Sequence, residues 1–173
     1  MNILSRLRFV KVFVFDMDGV LTDGTLLIED DGQWLRRMNI KDGYALQLAV
    51  RLGYPIIVIS GSESPPVEKR LQKLGVTDVF MKINDKKSFL AEHLSKNNIS
   101  PGEILFMGDD MPDYSCMLLA GFACCPSDAA AEIKQISSYI SPKRGGHGCV
   151  RDVIEKVLKL NNHWPLETYI PST

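Results

Sequence analysis

Five apolar runs of strand length recur along the chain: Phe9 to Phe15, Pro55 to Ser60, Val79 to Met81, Ile104 to Met107 and Phe122 to Cys125. Helix-like stretches separate most of them. Strands that read as unbroken apolar runs are buried on both faces, and their alternation with helices points to a parallel sheet covered on either side. The expected fold is α/β, a doubly wound, Rossmann-like, mostly parallel sheet. The helical stretches are Asp42 to Leu52, Pro65 to Leu74, Lys86 to Lys96, Pro112 to Ala120, Ala129 to Gln135 and Val150 to Leu160. Gly53 and Gly75 can stop two of them, Ser64 can cap another ahead of Pro65, and Pro112 suits a first helical position. One segment breaks the alternation: "TLLIEDDGQWLRRM" reads as two short strands about an Asp30-Asp31-Gly32 turn, an inserted hairpin at about 24–38.

With 173 residues, 45% hydrophobic and 24% charged, the chain fits one domain. The expected boundaries are a single domain over 1–160 and a tail over 161–173. The tail carries Trp164, Tyr169 and Ile170, too apolar for an idle linker, and is expected to pack. Twenty basic against twenty-one acidic residues leave a formal charge of -1, so no global field recruits nucleic acid or an anionic membrane. The opening "MNILSRLRFVKVFVF" imitates a signal peptide, but Lys11 interrupts it and no small-residue cleavage site follows, so it reads as the first strand. No apolar run approaches the roughly 20 residues of a membrane helix, and a cytoplasmic protein is expected. Cys116, Cys124, Cys125 and Cys149 show neither a CxxC pair nor zinc spacing, which fits reduced, buried thiols.

In open α/β sheets ligands bind beyond the carboxyl ends of the strands. The residues there are informative. Asp16 and Asp18 follow the first run, Ser60 and Gly61 end the second, Lys86 opens the helix after the third, and Asp109, Asp110 and Asp113 follow the fourth. Side chains two apart on extended backbone point the same way, so Asp16 and Asp18 can face one centre. Close carboxylates repel unless a cation, a shared proton or a division of labour offsets the cost. Asp109 and Asp110 add oxygen donors suited to Mg²⁺, a hard cation that binds through one or two carboxylates plus substrate phosphate. An aspartate nucleophile, a second aspartate as acid and base, a hydroxyl and a lysine are the parts for phosphoryl transfer through an aspartyl-phosphate. Lys86 and Ser60 can neutralise or donate to the phosphoryl oxygens, and Asp18 can protonate the leaving oxygen, then take a proton from water. Each part alone is an ordinary turn, cap or surface lysine; their order along the strand ends is what argues for a site.

"DMDGVLTDG", "VISGS", Lys86 and "MGDDMPD" together resemble the four motifs of the haloacid dehalogenase superfamily of phosphatases, over most of the chain. The resemblance implies Asp16 as nucleophile, Asp18 as acid/base, Ser60 and Lys86 as phosphate holders, and Asp109 as Mg²⁺ ligand beside Asp16 and the Asp18 backbone carbonyl. Asp110 and Asp113 would support the metal shell. Gaps between motifs hold only the hairpin, single helices and a short strand, so no cap domain is expected. "NIKDGYALQLAVRLG" and "SPKRGGHGCVRDVIEKVL" look like the capless 3-deoxy-D-manno-octulosonate 8-phosphate phosphatases of lipopolysaccharide sugar synthesis. That likeness implies a homotetramer whose hairpins and tails complete neighbouring sites, acting on a small phosphorylated acidic sugar. Asn39, Lys41, Asp42 and Gly43 match its substrate-facing segment; Gly61, Arg144, Gly145, Gly146 and Gly148 complete the expected binding set. Ser62 departs, standing where some octulosonate phosphatases carry arginine and nonulosonate 9-phosphate phosphatases carry glutamate. A nonulosonate substrate is therefore an alternative. A receiver domain, carbon–halogen hydrolysis and a non-enzymatic scaffold fit the intact acidic motifs less well.

Overall fold

The computed structural model describes residues 3–166. In chain order its elements are α1 (Ile3–Arg6), β1 (Val12–Phe15), β2 (Leu27–Ile28), β3 (Trp34–Leu35), α2 (Ile40–Arg51), β4 (Ile56–Ile59), α3 (Pro65–Lys73) and β5 (Asp78–Phe80). The second half adds α4 (Lys86–Lys96), β6 (Ile104–Met107), α5 (Tyr114–Leu119), β7 (Phe122–Cys125), α6 (Ala131–Ile136), β8 (Tyr139–Ile140) and α7 (Cys149–Leu160). Six strands pair in the order β5-β4-β1-β6-β7-β8, every pair parallel. β2 and β3 form a separate antiparallel hairpin.

The two-residue period of a strand divides the core into two layers. Phe13, Phe15, Val58, Leu105 and Met107 meet Leu46 of α2, Leu71 of α3 and Val153 and Ile154 of α7. Val14, Ile57, Ile59 and Phe106 meet Leu90 and Leu94 of α4, Met117 of α5 and Ile133 of α6. β1 sits in the middle of the sheet. The chain winds outward from it through β4 and β5, then returns to β6 on its other side and runs out through β7 and β8. That reversal beside β1 opens a crevice at the carboxyl ends of β1, β4 and β6.

Several elements differ from the expected ones. The N-terminal segment is not strand: α1 is followed by a 3₁₀ turn at Leu7–Phe9, which buries Leu7 and leaves Phe9 exposed. The strand itself begins only at Val12, past the exposed Phe9 and Lys11. The expected helix from Pro112 splits into a 3₁₀ turn, Met111–Asp113, and α5. β8 was not anticipated; two residues pair with β7 at the sheet edge. The hairpin and α2 lie between β1 and β4, and α3 and β5 between β4 and α4, so no cap domain is present among the described residues. Trp164 packs edge-on against Tyr44, 6.2 Å between ring centres, with the Arg151 guanidinium over its ring. Tyr169 and Ile170 lie outside the described residues. All four cysteines are free and buried, and no helix among the described residues is long and apolar enough to cross a membrane.

Candidate active site

β1 ends at Phe15, and the next residues carry the chain out of the core with Asp16 and Asp18 in extended conformation. Gly19 then takes φ +87°, and a Cβ there would fall 2.0 Å from the Asp109 carboxylate, so the turn and the close approach both demand glycine. Thr22 N–H donates to the Met17 carbonyl at 3.0 Å and closes the loop. A second glycine braces it from the far end of the chain. A Cβ on Gly145 would lie 1.9 Å from the Gly19 carbonyl oxygen, and Gly146 N–H donates to the Val20 carbonyl at 2.9 Å.

Around this loop a cavity of about 300 Å³ gathers Asp16, Asp18, Ser60, Gly61, Ser62, Lys86, Asp109, Asp110 and Asp113. Lys86, the first residue of α4, is buried and donates to Asp16 Oδ1 at 2.6 Å and to Asp113 Oδ1 at 2.8 Å. Asp113 Oδ2 accepts from the Asp109 N–H at 3.1 Å, so both its oxygens are engaged. Ser60 Oγ lies 3.2 Å from Ser62 Oγ and accepts from the Ser62 N–H. Asp110 is exposed and its carboxylate caps Met111 N–H.

Asp16, Asp109 and Asp113 each offer a carboxylate oxygen within 4.8 Å of the others. Burial, reinforced by the neighbouring carboxylates, pushes Asp16 and Asp109 well above the ordinary aspartate range. Lys86 is also buried, yet Asp16 and Asp113 hold it protonated. Three carboxylates facing one ammonium leave two negative charges uncompensated when all are ionised. An all-oxygen cluster with that surplus fits a hard divalent cation.

Asp18 has a different setting. Its partial burial would raise it, but hydrogen bonds from Arg36, Ser62 and Thr22 hold it below the usual range. Arg36 Nε donates to Oδ1 at 2.7 Å and Nη2 to Oδ2 at 3.2 Å, while Ser62 Oγ donates to Oδ2 at 2.6 Å. Arg36 is missing from the sequence-derived set. Strand alternation in the hairpin could have marked it as facing opposite to Leu35 and Arg37, though not what it would meet.

The remaining sequence-derived residues stand elsewhere in the described chain. Asn39 caps α2, accepting from Lys41 and Asp42 N–H. With Lys41 it lines a larger groove of about 940 Å³ between α2 and α7. Buried Asp42 directs its two oxygens to the N–H groups of Gly148 and Arg151, so it holds the first turn of α7. Gly43 is buried against Arg70 and Leu74. Arg144 is exposed and pairs with Asp128 at 3.2 Å; Gly145 and Gly146 brace the loop after β1 from behind.

A central β1 with acidic loops after β1 and β6 and a lysine opening the helix after β5 defines a haloacid dehalogenase-like hydrolase, and residues 72–153 match that family's model. The chain is 27% identical over 157 residues to the 3-deoxy-D-manno-octulosonate 8-phosphate phosphatase KdsC of Escherichia coli K12, covering 91% of this chain and 84% of the relative. A crystal structure of the same phosphatase from Moraxella catarrhalis, in complex with a magnesium ion, a phosphate ion and KDO, is 31% identical, covers 93% of each chain and superposes with a TM-score of 0.89. The enzyme from Yersinia pestis gives a TM-score of 0.90 at 25% identity, covering 93% of this chain and 87% of that one. The chain belongs to the 3-deoxy-D-manno-octulosonate 8-phosphate phosphatase family of the haloacid dehalogenase superfamily, and as such is a phosphoric monoester hydrolase.

Proposed function

We propose that the chain is a cytoplasmic, Mg²⁺-dependent phosphatase that hydrolyses 3-deoxy-D-manno-octulosonate 8-phosphate to the free sugar acid and phosphate through an aspartyl-phosphate on Asp16. The observation that carries this reading is the convergence of Asp16, Asp18, Ser60 and Lys86 on one cavity at the strand ends. Asp16 Oδ attacks phosphorus in line with the leaving sugar oxygen, and the P–O bond to the sugar breaks as the bond to Asp16 forms. Lys86 and the Ser60 hydroxyl hold phosphoryl oxygens, so charge that spreads over them meets fixed donors. Asp18 gives its proton to the departing oxygen, then as carboxylate takes one from the water that attacks the aspartyl-phosphate and restores Asp16.

Asp16, Asp109 and the Asp18 backbone carbonyl would hold Mg²⁺, with Asp110 and Asp113 supporting the shell. The ion supplies positive charge that lets two anions, carboxylate and phosphate, approach. The hairpin exposes Leu27, Ile28 and Trp34, which supports assembly into a tetramer whose hairpins and tails complete neighbouring sites. Asn39, Lys41 and Arg144, outside the lining of the acidic cavity in one chain, belong to the sugar-binding part of this proposal, with buried Asp42 and Gly43 holding that segment in place.

The test is Mg²⁺-dependent phosphate release from 3-deoxy-D-manno-octulosonate 8-phosphate, two nonulosonate 9-phosphates and common hexose phosphates. An octulosonate preference in kcat/KM supports the reading. A nonulosonate preference keeps the mechanism and moves the substrate, and no release from any ester would sink the proposal.

A further inference from the structure

Most of the hairpin faces outward: Trp34, Leu35 and Arg37 are exposed. Arg36 turns the other way, its side chain only 3% exposed, and places its guanidinium behind Asp18, whose side chain stays 34% exposed. The two donations at 2.7 and 3.2 Å engage both carboxylate oxygens, and Nη2 also reaches Ser62 Oγ at 3.3 Å. The small Ser62 leaves room for this, and returns a donation of its own to Asp18 at 2.6 Å. A planar fork fixes the plane of a carboxylate in a way that a point charge or a hydroxyl does not.

The hairpin strands have two residues each, and a pair that short does not hold itself in place. Besides the Arg36–Asp18 contact, its base is tied by the bridge between Thr22 and Met38. Thr22 is itself in the Asp18 network, with its hydroxyl 3.2 Å from Oδ1. Both ties therefore end on the same loop.

We infer that Arg36 is a positioning residue for proton transfer: it sets the Asp18 carboxylate toward the leaving oxygen, and so makes leaving-group protonation depend on how the hairpin is seated. This rests on the acid/base role proposed for Asp18. Because it acts through Asp18, Arg36 matters where the leaving oxygen needs a proton and little where it does not. An alkyl ester such as 3-deoxy-D-manno-octulosonate 8-phosphate needs one; p-nitrophenyl phosphate releases a stable phenolate.

The experiment compares kcat/KM on these two esters, which reports transfer to Asp16, for the full chain with Mg²⁺ and for Arg36→Ala, Arg36→Lys and Asp18→Asn. Arg36→Ala should lose about 10- to 100-fold on the alkyl ester and less than about 3-fold on the aryl ester, with guanidinium ion restoring part of the alkyl activity. Arg36→Lys should show the same selectivity with a smaller loss, and carries the test if the alanine variant does not fold. An equal loss on both esters, or no loss on either, while Asp18→Asn remains selective, overturns the role of Arg36 alone. If Asp18→Asn is itself unselective, the acid/base reading fails and the positioning role fails with it.

Discussion

Asp16 and Asp18 are two residues apart, share one cavity, and are held in opposite ways. Asp16 sits on the buried side, tied to Lys86, with Asp109 and Asp113 close by; burial and those carboxylates push it up. Asp18 sits on the open side, tied to Arg36 from a surface hairpin, and its hydrogen bonds outweigh its partial burial and pull it down. Residue type therefore decides little; the element that supplies the counter-charge decides the behaviour of each acid. Lys86 is buried at the start of α4, whose Leu90 and Leu94 pack on the sheet, so its position is set by the core. Arg36 comes from the hairpin, so its position depends on what holds two short strands.

The most severe way to break this comparison is Asp16→Asn. A loss on the order of 10⁴-fold in kcat is expected, alike for alkyl and aryl esters, since no bond to phosphorus forms without the carboxylate; steady-state kinetics on both esters checks it. Substantial turnover by this variant would mean that the buried acid is not the nucleophile.

Next in size is a stability contrast. Lys86→Met leaves Asp16 and Asp113 buried without their cation and should cost about 3–5 kcal/mol in denaturant unfolding without added metal. Arg36→Met, beside a half-open carboxylate, should cost about 1–2 kcal/mol. Added Mg²⁺ should recover more stability for the lysine variant than for the arginine variant. Equal recovery would show that the two sides are electrostatically one.

Gly145→Ala tests the brace behind the loop. With a Cβ directed at the Gly19 carbonyl, stability should fall by about 1–3 kcal/mol and activity with it. The measurements are urea unfolding and kcat on the same preparation.

The smallest effect concerns Asp42, which burial raises to about 6 despite its bonds from Arg151 and Gly148. A carboxyl raised in the folded state contributes stability that is fully present below the unfolded value near 3.8 and lost as pH rises through about 6. Asp42→Ala should therefore be destabilised most near and below pH 4, by about 1–2 kcal/mol for the lost cap of α7, and the gap to the parent should shrink as pH rises through about 6. Unfolding curves at several pH values decide it; a gap that widens with pH would show that the N–H donors dominate.

The strands and most helices were legible because buried parallel strands write themselves as apolar runs, and Asp16, Asp18, Ser60, Lys86 and Asp109 follow such runs at the ends where crevices form. β8 was not legible: a two-residue edge strand is defined by pairing with β7, which local sequence does not carry. Arg36 was missed for a related reason, since its partner is 18 positions away and meets it only through the seating of the hairpin. Asp42 shows the converse limit. Standing beside Asn39 and Lys41 in a polar segment it reads as ligand-facing, whereas its carboxylate caps a helix 109 positions further on.

The contact of Gly145 with Gly19 also has a meaning for biosynthesis. Among the described strands β1 is made first, yet its sheet neighbours begin at Ile56 and Ile104, and the loop that follows it is braced by residues 145 and 146. At a translation rate of about 5–20 residues per second, roughly 6–25 s separate the synthesis of the loop after β1 from that of its brace. During that interval the nascent chain holds an apolar strand whose later neighbour is still unmade and an acidic loop whose floor has yet to be synthesised.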